Sequence, residues 1–504
     1  MTPPPPTASV PSPDGVATMR GKRLRVMIGA VVIQLILGTV YGYSIFWQPI
    51  DSELGLSVDH ANYAFAICIL SFAVTMVIAG RVQDVKGPRF PAIVGGVLMG
   101  AGFLLASLVT QPFIFYLAHS AFTGAVGIVL LMIFHALVGQ DETRQSPILA
   151  YVPMGIIAAV VTAGVLLGNQ YVGRLGDTDQ LFLLWGTVGF LAGAGIGFAY
   201  VCPIAALVKW FPNHKGLVSG VAVAGFGFGA YIFAHKQIPF SAENYIKNHG
   251  IIELFQIHGV VSLIVVVLAA MMLSNPPGTP SRQPGQTNDS NWQETLRRPA
   301  FYVLWLMFFS GAMAGLMVIG ILKPFAGSQL VEAATAGGQA LAQDQRAALL
   351  AEGVAAVGWL AIFNAVGRVV WGLVSDHIGR TLAFAAMFLL QAIMMFLLIQ
   401  MQSTVSLAVA ASIIGFNFGG NFALFPSATA DLFGAKNLGV NYGCLFTSYG
   451  IAGVVGIAAG NAAKEATGDY GAAFLLAAAL CLLSAGLAIG LQFSTRRHHR
   501  IDRA

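Results

Sequence analysis

The sequence has little charge. Only 9% of its 504 residues are Asp, Glu, Lys or Arg, whereas 57% are hydrophobic. Soluble domains carry about 25% charged and about 45–50% apolar residues, so this composition excludes a water-soluble enzyme. The 59 glycines and 22 prolines fit the alternative, because both residues are frequent in transmembrane helices. The composition predicts an all-α, polytopic bundle of membrane helices.

Patterns that carry enzyme or metal chemistry are also scarce. The four cysteines lie singly in apolar stretches without CxxC spacing, so neither a metal site nor a disulfide is expected. The apolar runs contain no HExxH motif, no Ser/His/Asp set and no paired carboxylates. We therefore expect no catalytic residues, no enzyme activity and no cofactor. The net charge of +5 comes from scattered cations, which does not indicate nucleic-acid binding.

Long apolar runs recur along the whole chain. A bilayer core about 30 Å thick needs about 20 apolar residues as helix. The sequence predicts fourteen such spans: 26–48, 61–82, 91–110, 112–138, 148–172, 181–208, 217–236, 255–273, 299–325, 353–375, 382–401, 404–428, 437–460 and 471–492.

The cations orient these spans. Of the 26 Lys and Arg residues, nineteen fall on the side of the N-terminus, six on the opposite side, and Arg368 lies inside a span. Cytoplasmic loops carry the excess of Lys and Arg. We expect a multi-pass protein of the cell (inner or plasma) membrane with both termini in the cytoplasm.

An internal repeat divides the chain. A turn with Gly, then Asp, then Gly occurs twice at an offset of 292, each time followed within two residues by an Arg, and a second set of residues recurs at an offset of 223. The first repeat comprises Gly80, Asp84, Gly87 and Arg89, matched by Gly372, Asp376, Gly379 and Arg380; the second comprises Pro203, Trp210, Gly216 and Gly220, matched by Pro426, Phe433, Gly439 and Gly443.

The two offsets differ by 69 positions, and the spans 112–138 and 148–172 account for most of this excess in the first half. The sequence predicts two duplicated halves of six helices (6+6) with one inserted helix pair. The predicted segments are a disordered cytoplasmic tail 1–25, a first half 26–274 with the insertion at about 112–172, a linker 275–298, a second half 299–493 and a basic cytoplasmic tail 494–504.

The repeated turn suggests a conformational latch. Glycine permits a tight turn and close helix approach, and Asp84 or Asp376 could pair with a basic residue or cap a helix of the other half. Parallel duplicated halves are typical of rocking transporters. The alternative is a short structural loop in which the Asp caps its own helix.

These motifs resemble the major facilitator superfamily, whose loop signature is G-x-x-x-D-x-x-G-R/K. More narrowly, they are similar to the oxalate/formate antiporter family in four segments: Tyr41 to Phe46, Gly197 to Gly216, the run that begins at Leu304, and Asn441 to Gly443. The resemblance implies antiport or symport of a small carboxylate such as oxalate, formate, lactate or pyruvate. It further implies a lipid-embedded protein, expected to be a monomer, that uses a proton or exchange.

Arg368 is the leading candidate for the binding site. It lies eight positions before Asp376, about 12 Å along a helix and so near the middle of the membrane. An intramembrane arginine marks a ligand pathway by default, and its guanidinium matches a carboxylate. The alternative is a buried ion pair. The resemblance implies that Arg368 holds the substrate carboxylate.

Other residues are expected around Arg368. Asn364, one turn earlier, could bind a substrate oxygen or join two helices. Tyr41, Tyr200 and Tyr449 could line an anion cavity or pack at an interface, and the resemblance favours Tyr200. Phe418 and Phe422, one helical turn apart, could close the cavity, although core packing is the simpler interpretation.

One departure from the family bears on the substrate. The oxalate-exchanging pattern has a lysine after Asn-Tyr-Gly, where this sequence has Tyr449. A dianion bound by one arginine would keep an uncompensated charge in low dielectric. The sequence therefore favours a monocarboxylate, with oxalate:formate exchange as the first alternative and a non-transporting membrane sensor on the same fold as the second.

Overall fold

The computed structural model describes residues 13–56, 58–109, 177–234, 237–277, 289–336 and 341–501. Fifteen α-helices and no β-strand occur in these ranges. They are α1 Pro13–Leu37, α2 Trp47–Leu54, α3 Val58–Lys86, α4 Arg89–Ala106, α5 Asp177–Leu184, α6 Ala192–Trp210, α7 Lys215–Ala234, α8 Ala242–Met272, α9 Trp292–Arg297, α10 Pro299–Thr335, α11 Gln343–Ile378, α12 Arg380–Leu398, α13 Thr404–Phe433, α14 Leu438–Thr467 and α15 Gly471–Ile501.

Twelve helical stretches within the described ranges are long and apolar enough to cross a membrane. They coincide with twelve of the fourteen predicted spans. The other two predicted spans, 112–138 and 148–172, lie outside the described residues, so the inserted pair stays a prediction. The predicted all-helical membrane architecture is confirmed.

Several helices extend beyond the predicted spans. Helix α1 begins at Pro13 and α15 ends at Ile501, so 13–25 and 494–501, which we expected to be tails, are helical. Strongly helix-forming residues such as Arg, Lys and Ala explain the extension. The linker region contains the short helix α9, whose capping box joins Asn291 and Glu294.

Three spans depart from regular α-helix in the described part of the first half. Helix α8 is kinked at Gly250, whose φ of 83° is not helical. Helix α1 continues into a 3-10 segment, Gly38–Phe46, and a π-helical segment, Trp185–Leu191, joins α5 to α6. Short stretches of this kind often occur at functional positions. The 3-10 segment is relevant below because it carries Tyr41.

Glycine contacts bring the two halves close together. Helix α3 packs against α14, and α7 packs against α11. A side chain at Gly80 would overlap the backbone of Gly439, and one at Gly372 would overlap that of Gly216. Small residues allow helices to approach at backbone distance in a membrane. Both interfaces between the halves, α3 with α14 and α7 with α11, therefore depend on a pair of facing glycines.

Candidate functional site

The carboxylate of Asp84, near the end of α3, caps a helix of the other half. It accepts hydrogen bonds from the backbone N–H groups of Gly439 (3.1 Å) and Val440 (2.8 Å), in the first turn of α14. Lys209 Nζ lies 3.7 Å from Oδ1 of the buried carboxylate. A carboxylate at a helix N-terminus satisfies unpaired N–H groups and is favoured by the helix dipole.

Asp376, near the end of α11, makes the corresponding contact in the opposite direction. Its carboxylate accepts from the backbone N–H groups of Gly216 (2.9 Å) and Leu217 (2.8 Å), in the first turn of α7. Arg380 Nη2 lies 2.7 Å from Asp376 Oδ1, and Arg380 Nε lies 2.9 Å from Asp431 Oδ2. Each half thus caps one helix of the other.

The two sequence repeats meet in these contacts. The aspartates belong to the repeat at an offset of 292, and the capped residues Gly216 and Gly439 belong to the repeat at an offset of 223. The face of the bundle that carries both aspartate turns also carries Arg89, Lys215 and Arg380, and we call it the basic face. In this structure the halves are joined at the basic face.

The turns themselves differ in their arginines. Gly87 and Gly379 both adopt left-handed φ values, 85° and 88°, which glycine tolerates without strain. Arg89 donates from Nε to the backbone oxygen of Leu273 (2.5 Å), within its own half, whereas Arg380 pairs with Asp376. The first turn therefore relies on Lys209 where the second uses its own arginine.

Arg368 lies on α11 and is fully buried. Its Nε donates to Asn364 Oδ1 (3.1 Å), and its Nη1 donates to the backbone oxygen of Val223 (2.8 Å) on α7 of the other half. Its Nη2 is buried and has no hydrogen-bond partner among the described residues. One edge of a buried guanidinium is thus unoccupied at the contact between the halves.

No carboxylate forms an ion pair with Arg368 in the part of the chain that the structure describes. Two aromatic rings partly compensate, since the guanidinium carbon lies 4.5 Å from the ring centroid of Phe422 and 5.5 Å from that of Phe226. A cation–π contact contributes only about 0.5–2 kcal/mol, whereas an unpaired buried ion costs several kcal/mol. The described residues therefore compensate the charge of Arg368 only in part.

Four tyrosines surround the guanidinium. The hydroxyls of Tyr41 and Tyr449 are hydrogen-bonded to each other, and those of Tyr41 and Tyr200 lie next to Arg368. The hydroxyl of Tyr442 lies next to that of Tyr200, yet neither makes a hydrogen bond of good geometry with the described residues. Buried polar atoms without partners are rare in native proteins, so these two hydroxyls are candidates for contacts with a ligand.

Phenylalanines complete the wall from both halves. Phe72 packs on Tyr200 with ring centroids 5.0 Å apart, and Phe446 packs on Tyr449 at 4.7 Å. With Phe226 and Phe422 they enclose the guanidinium in an apolar surface, which strengthens electrostatic attraction at its centre.

The structure brings together Arg368, Asn364, Tyr41, Tyr200, Tyr449 and Phe422 from the predicted set. Phe418 packs against Gly315 of α10 and edge-on against Phe422, with ring centroids 5.2 Å apart. Sequence reasoning did not assign a role to Tyr442, to Phe226 or to the backbone oxygen of Val223. The signal for Tyr442 was present, because it is the tyrosine of the Asn441-Tyr-Gly443 motif.

Comparisons with known proteins agree with this architecture. A family model described as Major Facilitator Superfamily matches residues 150–343 and 334–503, well over half of the chain. The chain belongs to the Major Facilitator Superfamily and is a membrane transporter. The fold agrees as well, with a TM-score of 0.57 to the E. coli fucose:proton symporter at 14% identity, covering 93% of this chain and 98% of that one.

The curated relatives include transporters that are named for small carboxylates. The oxalate:formate antiporter of Oxalobacter formigenes is 26% identical over 475 residues, covering 93% of this chain and 91% of that protein. Apicoplast pyruvate carrier 1 of Toxoplasma gondii is 28% identical over 354 residues, covering 58% of this chain and 62% of that protein. The chain is thus similar to one transporter named for a dicarboxylate and a monocarboxylate, and to another named for a monocarboxylate.

Proposed function

We propose that this protein is a secondary active transporter of a small monocarboxylate such as lactate, pyruvate or formate, working by alternating access. The observation that carries the proposal is the unpartnered Nη2 of the fully buried Arg368. Arginine stays protonated at any working pH, so the cation cannot be relieved by losing a proton. A carboxylate would supply both the missing charge and the missing acceptors.

The substrate contacts follow from the free donors. One carboxylate oxygen would accept from Arg368 Nη2, and the hydroxyls of Tyr200 and Tyr442 would donate to the same group. Charge-assisted hydrogen bonds of this kind are about twice as strong as neutral ones. The apolar remainder of the substrate would lie against Phe226 and Phe422.

A site with Arg368 as its single cation favours a substrate with one carboxylate over a substrate with two. Tyr449, at the position of the family's lysine, is bonded to Tyr41 and supplies no positive charge. The second carboxylate of oxalate would therefore be buried without a counter-charge, which is strongly unfavourable. Oxalate:formate exchange is the competing function, and the antiporter relative supports it.

The aspartate turns would control access to the site. The positive-inside rule makes the basic face cytoplasmic, so both caps together hold the cytoplasmic side closed. Opening to the cytoplasm would separate Asp84 from α14 and Asp376 from α7. Binding of a carboxylate to Arg368 at the junction of the halves would favour the rocking movement, because the buried charge becomes neutral.

Uptake into proteoliposomes tests this function. The purified protein should take up labelled lactate or pyruvate and exchange it against the same compound inside. A panel of C1 to C4 carboxylates, assayed with and without a pH gradient, would define the substrate. Strong exchange of oxalate without monocarboxylate uptake would overturn the monocarboxylate proposal, and absence of all flux in a well-inserted protein would favour a sensor.

A further inference from the structure

His258, on α8, is a buried titratable group outside the carboxylate site. Its side chain is 6% exposed, and Nε2 lies 3.1 Å from the hydroxyl of Thr39. That hydroxyl also lies 2.7 Å from the backbone oxygen of Ile36, to which it donates. Because a hydroxyl has a single hydrogen, Thr39 must accept from Nε2–H. The other ring nitrogen, Nδ1, then carries a lone pair and can accept a proton.

The walls around His258 are aromatic. The imidazole lies 4.4 Å from the ring of Phe103 on α4 and 4.8 Å from that of Phe233 on α7, measured between centroids. Burial favours the neutral imidazole, whereas the Thr39 oxygen, which accepts from Nε2–H, interacts more strongly with the protonated ring. The Thr39 contact is therefore the one that would stabilise a proton on His258.

No residue of opposite charge pairs with His258 among the described residues. On its own helix the nearest acidic residue is Glu253, whose carboxylate instead lies 3.3 Å from His249. Helices α1, α4 and α7 bring their charged side chains only near the basic face. The remaining titratable groups on neighbouring elements are Asp51 and Glu53 of α2 and Tyr41 and Tyr43 of the 3-10 segment. Among the described residues, a proton on His258 would therefore have no partner of opposite charge.

His258 is connected to the carboxylate site through one short segment. Thr39 and Tyr41 both belong to the 3-10 segment Gly38–Phe46, and Tyr41 is hydrogen-bonded to Tyr449 of the other half. Tyr41 also packs edge-on against Phe226, with centroids 4.9 Å apart. A change of charge at His258 thus acts on the segment that holds one wall of the substrate site.

We propose that His258 is the proton-binding site that couples transport to a pH gradient, a proposal that rests on the proposed function. One proton from water on the outer side binds to Nδ1 while one monocarboxylate binds to Arg368. After the halves rock, Nδ1 returns the proton to water on the cytoplasmic side and the carboxylate leaves. The proton and the carboxylate together carry no net charge.

The first test compares wild type with His258→Gln in proteoliposomes. Glutamine can still donate to Thr39 but cannot take up a proton near neutral pH. We expect the variant to lose the part of lactate uptake that a pH gradient drives while lactate–lactate exchange remains. His249→Gln, an exposed histidine just before the Gly250 kink of α8, is the matched control and should behave as wild type. Retention of gradient-driven uptake in His258→Gln would overturn the proposal.

A second variant covers the case in which His258→Gln loses exchange as well. Thr39→Val removes the acceptor that stabilises the protonated ring, so half-maximal uptake should shift to lower external pH with exchange intact. An unchanged pH profile would overturn the proposal. A potassium diffusion potential should leave wild-type uptake unchanged, and potential-driven uptake would contradict one-to-one coupling.

The outcomes separate the two proposals. A wild-type protein that exchanges monocarboxylates but ignores a pH gradient refutes the role of His258 and leaves the transport function standing. A wild-type protein that moves no monocarboxylate under either condition refutes the proposed function itself.

Discussion

The aspartate caps give a prediction whose size follows from their geometry. In Asp84→Asn the carboxylate that holds the N–H groups of Gly439 and Val440 loses its charge, and one of its two acceptor oxygens becomes a donor facing a donor. Hydrogen bonds to charged groups contribute about 1.5–3 kcal/mol each. A loss of about 3 kcal/mol would raise the open fraction at this end of the interface about 100-fold.

Hydrogen–deuterium exchange reads this change at the capped amides. In Asp84→Asn the amides of Gly439 and Val440 should exchange about 100-fold faster, while those of Gly216 and Leu217 change less. Asp376→Asn should show the reverse pattern, so each variant is the control for the other. Lys209 beside Asp84 and Arg380 beside Asp376 stay in place in both variants, so each variant changes only one carboxylate.

Unchanged exchange at Gly439 and Val440 in Asp84→Asn would refute the idea that the carboxylate holds the halves together. Equal acceleration at both caps would instead mean that the two contacts open as one unit. In that case each aspartate would still stabilise the contact between the halves, but the two caps would not open independently.

Two further predictions concern the substrate site. Tyr449→Lys adds a second cation beside Tyr41 and should give measurable uptake of labelled oxalate, with lactate uptake reduced. If oxalate uptake does not increase, the argument that a single cation excludes oxalate is contradicted. Asn364→Asp places a carboxylate next to Arg368 Nε and should abolish substrate-induced thermal stabilisation, because the internal ion pair competes with the substrate. The control Asn364→Gln should retain part of this stabilisation. Full stabilisation of Asn364→Asp by the substrate would refute the competition.

The spans and the duplication could be predicted because they leave simple traces in the sequence. Runs of about 20 apolar residues are read directly as membrane helices, and a duplicated turn keeps its spacing. The repeats at offsets of 292 and 223 in fact contain both partners of each cap. Sequence alone did not say which aspartate meets which glycine, because that depends on how the halves pack.

The helix ends were harder to predict. Residues 13–25 contain one Pro, two Gly and three Arg, yet they form the beginning of α1 because Pro13 suits a first turn and Arg and Lys are good helix formers. Between α10 and α11 the Ala- and Gln-rich stretch extends both helices, to Thr335 and from Gln343. Hydropathy marks the membrane portion of a helix and not its full length.

The binding site could be predicted in part. Arg368 stands out since a cation in an apolar run is costly. Tyr442 and Phe226 lie on helices that are buried over most of their surface, where no polar face distinguishes the side that lines a cavity. The Val223 contact uses a backbone oxygen, for which the side-chain pattern gives no signal.

Substrate binding by Arg368 variants tests the central claim most directly. Isothermal calorimetry with lactate and pyruvate should show binding to wild type and to Arg346→Ala, an exposed arginine on the same helix α11, and none to Arg368→Ala. Arg368→Lys should bind more weakly, since an ammonium lacks the planar fork. Binding of wild-type strength in a folded Arg368→Ala protein would contradict the account.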